Sequence, residues 1–204
     1  MRISITLIIV IITSAVSIAA FSNRNLFRRL LFNAYDIKKF KNYYRLFTYS
    51  LVHADWVHLL INMFVLFSFG KMTETYYKYF FGNIWILYYL LLYIGAVLIS
   101  ILPAYKKHYD DYSYNAVGAS GAVSAVVFAS IIFDPLGKIF IFPIPIGIPS
   151  ILFAILYLAY SWYMNKKAND NIGHDAHFWG AIFGFVYTIL LKPKLVLFFI
   201  DRFF

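Results

Sequence analysis

The chain has 204 residues, 62% of them hydrophobic and 13% charged, against ~45–50% apolar and ~25% charged in soluble globular domains, which argues against an ordinary cytosolic fold. With no cysteine, disulfides, a thiol nucleophile and thiolate metal sites are excluded, and Glu74 is the one glutamate. The net charge of +9 sits in short loops between apolar runs, a placement that suits anionic lipid headgroups as partners and not nucleic acid.

Taken in order, the first uncharged run goes from Ile3 to Asn23 behind Arg2 and is long enough to span a bilayer. A cleavable signal peptide is the rival reading, because Ser17 to Ala20 offers small residues after an apolar core. From Arg24 to Asp55 the chain is basic yet rich in aromatics, as expected of a segment lying at headgroup level. Asp55 then offers an N-cap to a short helix beginning at Trp56 and running uncharged to Gly70. Tyr79 to Tyr105 is a third apolar run, with Pro103 and the following Lys106-Lys107-His108 expected to end it. Ala116 to Phe133, rich in Gly, Ala and Ser, makes a fourth that lets a neighbouring backbone approach closely. The segment Asp134 to Pro149, broken by Gly137, Pro143, Pro145 and Gly147, reads as an interfacial connector. A fifth helix is expected from Pro149 to Met164, then a polar loop from Asn165 to Asp175, then a sixth helix from Ala176 to Leu191. The expectation is an all-α polytopic membrane protein, one domain over 1–204, with helices at about 3–22, 56–73, 80–103, 118–133, 149–164 and 176–191.

Polar side chains inside such spans are costly and mark a protein interior or a wet cavity. His58 and Asn62, four apart, share one face of the second helix. Ser120 opens the fourth within Gly118-Ala119-Ser120-Gly121, and His177 opens the sixth, followed by Gly180 and Gly184 in a small-xxx-small pattern. If the fourth and sixth helices pack side by side, a hydroxyl falls beside an imidazole that can take its proton near neutral pH. The Ser120 amide, His58 and Asn62 would then supply oxyanion donors. Asp175 is two residues from His177 and points elsewhere on a helix, so a dyad is expected and not a triad.

Each of these residues also has a plainer reading. Gly-x-Ser-Gly occurs in membrane helices for packing alone, and a buried histidine is usually satisfied by a carbonyl. His53, His58, His174 and His177 could instead hold zinc, but no His-Glu-x-x-His occurs. An aspartyl protease needs two aspartates within spans, and all eight aspartates fall in loops or at helix ends.

Three blocks taken together resemble the rhomboid intramembrane serine proteases: His53 to Asn62, with a His-x-x-x-Asn pattern; Gly118 to Gly121; and Ala176 to Gly184. The resemblance covers about Tyr44 to Gly184. It implies Ser120 as nucleophile, His177 as general base and then acid, and His58 with Asn62 as oxyanion donors alongside the Ser120 amide. His53 matches a loop histidine of structural role, and Gly118, Gly121, Gly180 and Gly184 would serve as structural support. It also implies single-pass transmembrane proteins as substrates, no cofactor or metal, and a multi-pass protein of the cell (inner) membrane whose active site faces the extracytoplasmic side. That orientation puts seven basic residues inside and eleven outside, seven of the latter in the amphipathic loop after helix one. The chain departs from the family twice. An aromatic residue often found four after the nucleophile is Ser124 here, leaving the imidazole to be oriented by Trp179 or Phe128, and the family's Trp-Arg loop motif is Tyr44-Arg45. Two other functions remain open at this stage: an inactive rhomboid-like protein that binds transmembrane helices without cutting them, and a small channel or transporter, against which the absence of inverted repeats weighs.

Overall fold

The computed structural model describes residues 4–141, 145–167 and 173–203. Helix α1 (Ile5–Ser22) starts where the Ser4 hydroxyl accepts the Leu7 amide. Its buried stripe is Thr6, Thr13, Ser17 and Ala20, while Ile8, Ile11, Ile12 and Ile18 are exposed. Small and weakly polar groups inward with branched apolar groups outward is the reverse of a soluble helix, and it is the pattern of a helix whose outer solvent is lipid. The expected start at Ile3 lies outside the described residues, as do Pro143, part of the 165–175 loop and Phe204.

The headgroup-level segment is more ordered than its composition suggests. It folds into α2 (Arg24–Leu30), α3 (Ala34–Phe40) and α4 (Arg45–Thr48), followed by a 3₁₀ turn at Tyr49–Leu51. Two asparagines start the first two: Asn23 accepts the Leu26 amide and Asn33 the Asp36 amide. Buried Arg45 holds the segment together by donating to the carbonyls of Arg28 (2.9 Å) and Leu31 (2.7 Å), with the Asp36 carboxylate at 3.4 Å. The Phe32 and Ala116 backbones then bond each other reciprocally at 2.9 and 3.1 Å. This fixes the loop segment against the strand of chain that leads to Ser120.

Helix α5 (Trp56–Phe81) begins at the expected cap, the Asp55 carboxylate accepting the His58 amide at 2.8 Å. It runs well past the expected end at 73 because Lys71 and Lys78 do not interrupt it. Lys78 lies 3.8 Å from the Glu74 carboxylate one turn back, and Gly82, at φ 58°, provides the stop. Glu74 itself is buried and accepts from the Ser4 hydroxyl and the Thr6 amide, so it caps α1 from a neighbouring helix.

Helix α6 (Trp85–His108) corrects a second expectation, since Pro103 lies inside it and not at its end. A proline removes only its own donor, and the helix resumes for one more turn ending in Lys106-Lys107-His108, where cations suit its C-terminus. Helix α7 (Ser120–Ile131) is shorter than the expected 118–133, and every residue from Gly121 to Ile131 is buried. It forms the axis of the bundle, with α5, α6 and α9 around it.

In the connector, β1 (Lys138–Phe140) pairs antiparallel with β2 (Gly147–Pro149), Ile139 opposite Ile148. Helix α8 (Ser150–Lys167) follows directly, then α9 (His174–Leu191) and α10 (Leu195–Ile200), a short helix that no expectation covered. Among the described residues, two stretches are long and apolar enough to cross a membrane, α1 and the continuous stretch Trp56–His108 that contains α5 and α6.

Candidate active site

The site is built where the first turns of α7 and α9 meet. A Cβ placed on Gly121 would lie 3.1 Å from the Ala176 carbonyl oxygen, and one on Gly180 would lie 2.7 Å from the Gly121 carbonyl carbon. The two helices therefore touch backbone to backbone beside Ser120 and His177, the sequence neighbours of Gly121 and Ala176. One turn further on, a Cβ on Gly184 would run into the Ala125 carbonyl. Glycine is required at 180 and 184 because the facing atoms are backbone and cannot rotate away.

Ser120 and His177 are both half-buried. Ser120 is the first residue of α7, so its amide is one of the first-turn donors without an intrahelical partner. Its carbonyl accepts from the Ser124 hydroxyl at 2.8 Å. The Tyr157 hydroxyl, brought in by α8, lies 2.6 Å from Ser124 Oγ, and the Tyr157 ring stacks on the His177 imidazole with centroids 6.3 Å apart at 27°. Tyr157 thus touches the His177 ring directly and reaches the Ser120 carbonyl through Ser124.

His58 stands opposite. Gly118, at φ 109°, is the turn before Ser120, and a Cβ there would lie 2.6 Å from His58 Cε1 and 2.8 Å from Nε2. Only glycine lets the imidazole lie against that backbone. Asn62 is buried, and its Nδ2 donates to the His58 carbonyl at 2.9 Å, which leaves the second N–H of the amide uncommitted to that bond.

His53 is fully buried and edge-on to His58, with ring centroids 4.9 Å apart. Its Nε2 accepts the Ala119 amide at 3.4 Å, its Nδ1 lies 2.9 Å from Ser17 Oγ, and that hydroxyl donates to the Leu51 carbonyl at 2.8 Å. This network assigns the ring proton to Nδ1. Both nitrogens are occupied by protein groups, which leaves neither for a metal. Burial, reinforced by His58, pushes the His53 imidazole down from 6.5 to about 3. Because the folded value is the lower one, the stability it contributes is complete above pH 6.5 and drains away as the pH falls toward 3. The unfolding free energy should therefore decline by up to about 1.4 kcal/mol per pH unit below 6.5 from this residue. Detergent melts between pH 7.5 and 4.5 check this: His53→Gln should flatten the slope, and an unchanged slope would remove His53 as its source.

The Asp175 carboxylate accepts from Asn165 at 2.7 Å and not from the His177 imidazole. Neither residue expected to orient His177 does so directly. Trp179 packs on Phe178 and is 41% exposed, and Phe128 contacts the Tyr157 ring at 5.6 Å. Sequence reasoning missed Tyr157 because it sits in an aromatic-rich helix with no motif to mark it.

The family model described as Rhomboid domain matches residues 41–194, taking in all three blocks that build this site. Rhomboid-like protein 11, chloroplastic, of Arabidopsis thaliana is 35% identical over 98 residues, which are 48% of this chain and 32% of that protein. The chain thus spans about a third of the length of that curated relative. With a match over three quarters of its length, on a helical bundle whose apolar side chains face outward, the chain belongs to the rhomboid family.

Proposed function

We propose that the chain is a six-span intramembrane serine endopeptidase that cuts single-pass transmembrane proteins in or near their membrane helices. The observation that carries this reading is the backbone contact of Gly121 with Ala176 and Gly180, which sets the starts of α7 and α9 side by side. Helix α7 has 12 residues, ~18 Å at 1.5 Å each, against a hydrocarbon core of ~30 Å. It cannot reach both membrane surfaces, and we take its start to lie below one of them. Gly118 and Ala119, the irregular backbone just before it, are buried in protein, the way such backbone is tolerated at depth.

The Ser120 hydroxyl attacks the substrate carbonyl carbon while His177 takes its proton, and the carbonyl oxygen becomes an oxyanion received by the Ser120 amide, His58 and the free N–H of Asn62. His177 then gives the proton to the departing amine, and water, deprotonated by the same imidazole, hydrolyses the acyl-enzyme. The side chains of Ser120 and His177 are not hydrogen-bonded to each other in this structure. Catalytic bonds commonly tighten only when substrate arrives. A helical substrate must unwind at the cut, since its carbonyls are otherwise held in hydrogen bonds.

Membrane lipids are the other proposed partners. Arg24 and Arg28, the cations beside a hollow also lined by Asp36, Asn115 and the internally bonded Arg45, suit headgroups. We take the active site to open on the extracytoplasmic face of the cell membrane, the arrangement that the resemblance implies.

The test is reconstitution of the purified protein in vesicles with a single-span substrate. Two fragments with a cut inside or beside the span are expected. Binding of the span without fragments would favour the non-cleaving rhomboid-like reading, and solute flux with neither would favour the channel.

A further inference from the structure

We propose that Tyr157 of α8 is the positioning residue that holds the His177 imidazole in register with Ser120, and that Ser124 is its anchor. The inference deepens the protease reading and rests on it.

Three observations converge on the ring. The Tyr157 hydroxyl lies 2.6 Å from Ser124 Oγ, and Ser124 Oγ donates to the Ser120 carbonyl at 2.8 Å. Because the serine has one proton and commits it to that carbonyl, the tyrosine is the donor, and a chain runs from Tyr157 O–H to Ser124 Oγ–H to the Ser120 carbonyl. The face of the ring stacks on His177 at 27° and 6.3 Å, within the offset-stacked range of ~4.5–7 Å. Phe128 of α7 and Phe153 of α8 close the remaining sides, each with its centroid 5.6 Å from that of Tyr157. The ring is fixed at its tip by a hydrogen bond to the nucleophile's own helix and on its flanks by two phenylalanines. It therefore transmits the position of α7 to the imidazole on α9.

This arrangement also accounts for Ser124. An aromatic side chain at 124 would occupy the space that the Tyr157 hydroxyl now fills, so a small hydroxyl at 124 and a tyrosine at 157 form one device. Residues from two helices supply what a single side chain could supply from one. The hydroxyl sets where the ring lies, and the ring sets where the imidazole lies.

The roles of ring and hydroxyl separate by substitution. Tyr157→Leu removes the stacking face and should lower kcat at least 10-fold with KM changed less than twofold, since a ring behind the imidazole does not touch substrate. Tyr157→Phe keeps the face and loses only the tether, so it should restore kcat to within about threefold of wild type. Ser124→Ala should match Tyr157→Phe, and the double variant should be no worse than either single one, because both remove the same hydrogen bond. Thermal melts in detergent gauge folding. If the leucine variant does not fold, Tyr157→Met, flexible and without a π face, carries the same comparison.

Wild-type cleavage and its loss in Ser120→Ala are measured first in the same preparation. If they hold and Tyr157→Leu or Tyr157→Met keeps wild-type kcat, the positioning role is refuted while the protease reading stands. A rise in KM alone would refute it as well, and would place Tyr157 on the substrate side. If wild type does not cut, the protease reading falls and takes this role with it.

Discussion

Replacing Ser120 with alanine is expected to lower kcat/KM for a single-span substrate by at least about 10³-fold, with His177→Ala giving a comparable loss. Among the described residues the Ser120 hydroxyl takes part in no hydrogen bond, and the substitution removes one oxygen from a half-buried position, so the melting temperature should barely move. The double variant should be no slower than either single one, because hydroxyl and imidazole act as a unit and losing one idles the other. Residual turnover would come from the oxyanion donors and from binding alone. Cleavage assays with both singles and the double check the prediction, and near-wild-type rates in either single variant would contradict it.

The second large effect is expected at the α7–α9 contact. A Cβ on Gly180 would lie 2.7 Å from the Gly121 carbonyl carbon and 3.0 Å from its Cα, so Gly180→Ala must push two backbones apart. Overpacking of this kind costs about 1–3 kcal/mol. The functional loss should be larger than the stability loss suggests, because Gly180 is three residues from His177 and Gly121 adjoins Ser120. Misplacement of reacting groups by about 1 Å costs on the order of 10²-fold in rate. Gly173→Ala is the control: among the described residues its Cβ would meet only the Ala176 side chain at 3.7 Å, ordinary contact. A Gly180→Ala protein that cuts and melts like wild type would mean that α7 and α9 are not held by this contact.

The candidate site residues stand out in the sequence because each breaks a rule of its surroundings. A histidine, an asparagine and a serine inside apolar runs have no business facing lipid. The Asp55 cap was equally readable, since an N-cap depends on local chain alone. Pro103 misled because a proline within a bundle costs one donor that its surroundings can absorb, and Lys71 and Lys78 misled because long side chains can leave an apolar helix without ending it. The caps at Asn23 and Asn33 were available to local reasoning and were hidden by reading the segment through its composition. Glu74 and Tyr157 belong to a different class. Each acts on a helix other than its own, Glu74 on the start of α1 and Tyr157 on the imidazole of α9, and no spacing along one chain reports a contact between helices.

The dyad is tested most directly by a fluorophosphonate, which phosphonylates a serine hydroxyl activated by a neighbouring base and releases fluoride. Intact-mass and peptide mapping of the wild-type protein should find a single adduct, on Ser120, absent from Ser120→Ala and strongly slowed in His177→Ala. An adduct on another residue, or unmodified Ser120 in a preparation that still cuts its substrate, would contradict the account.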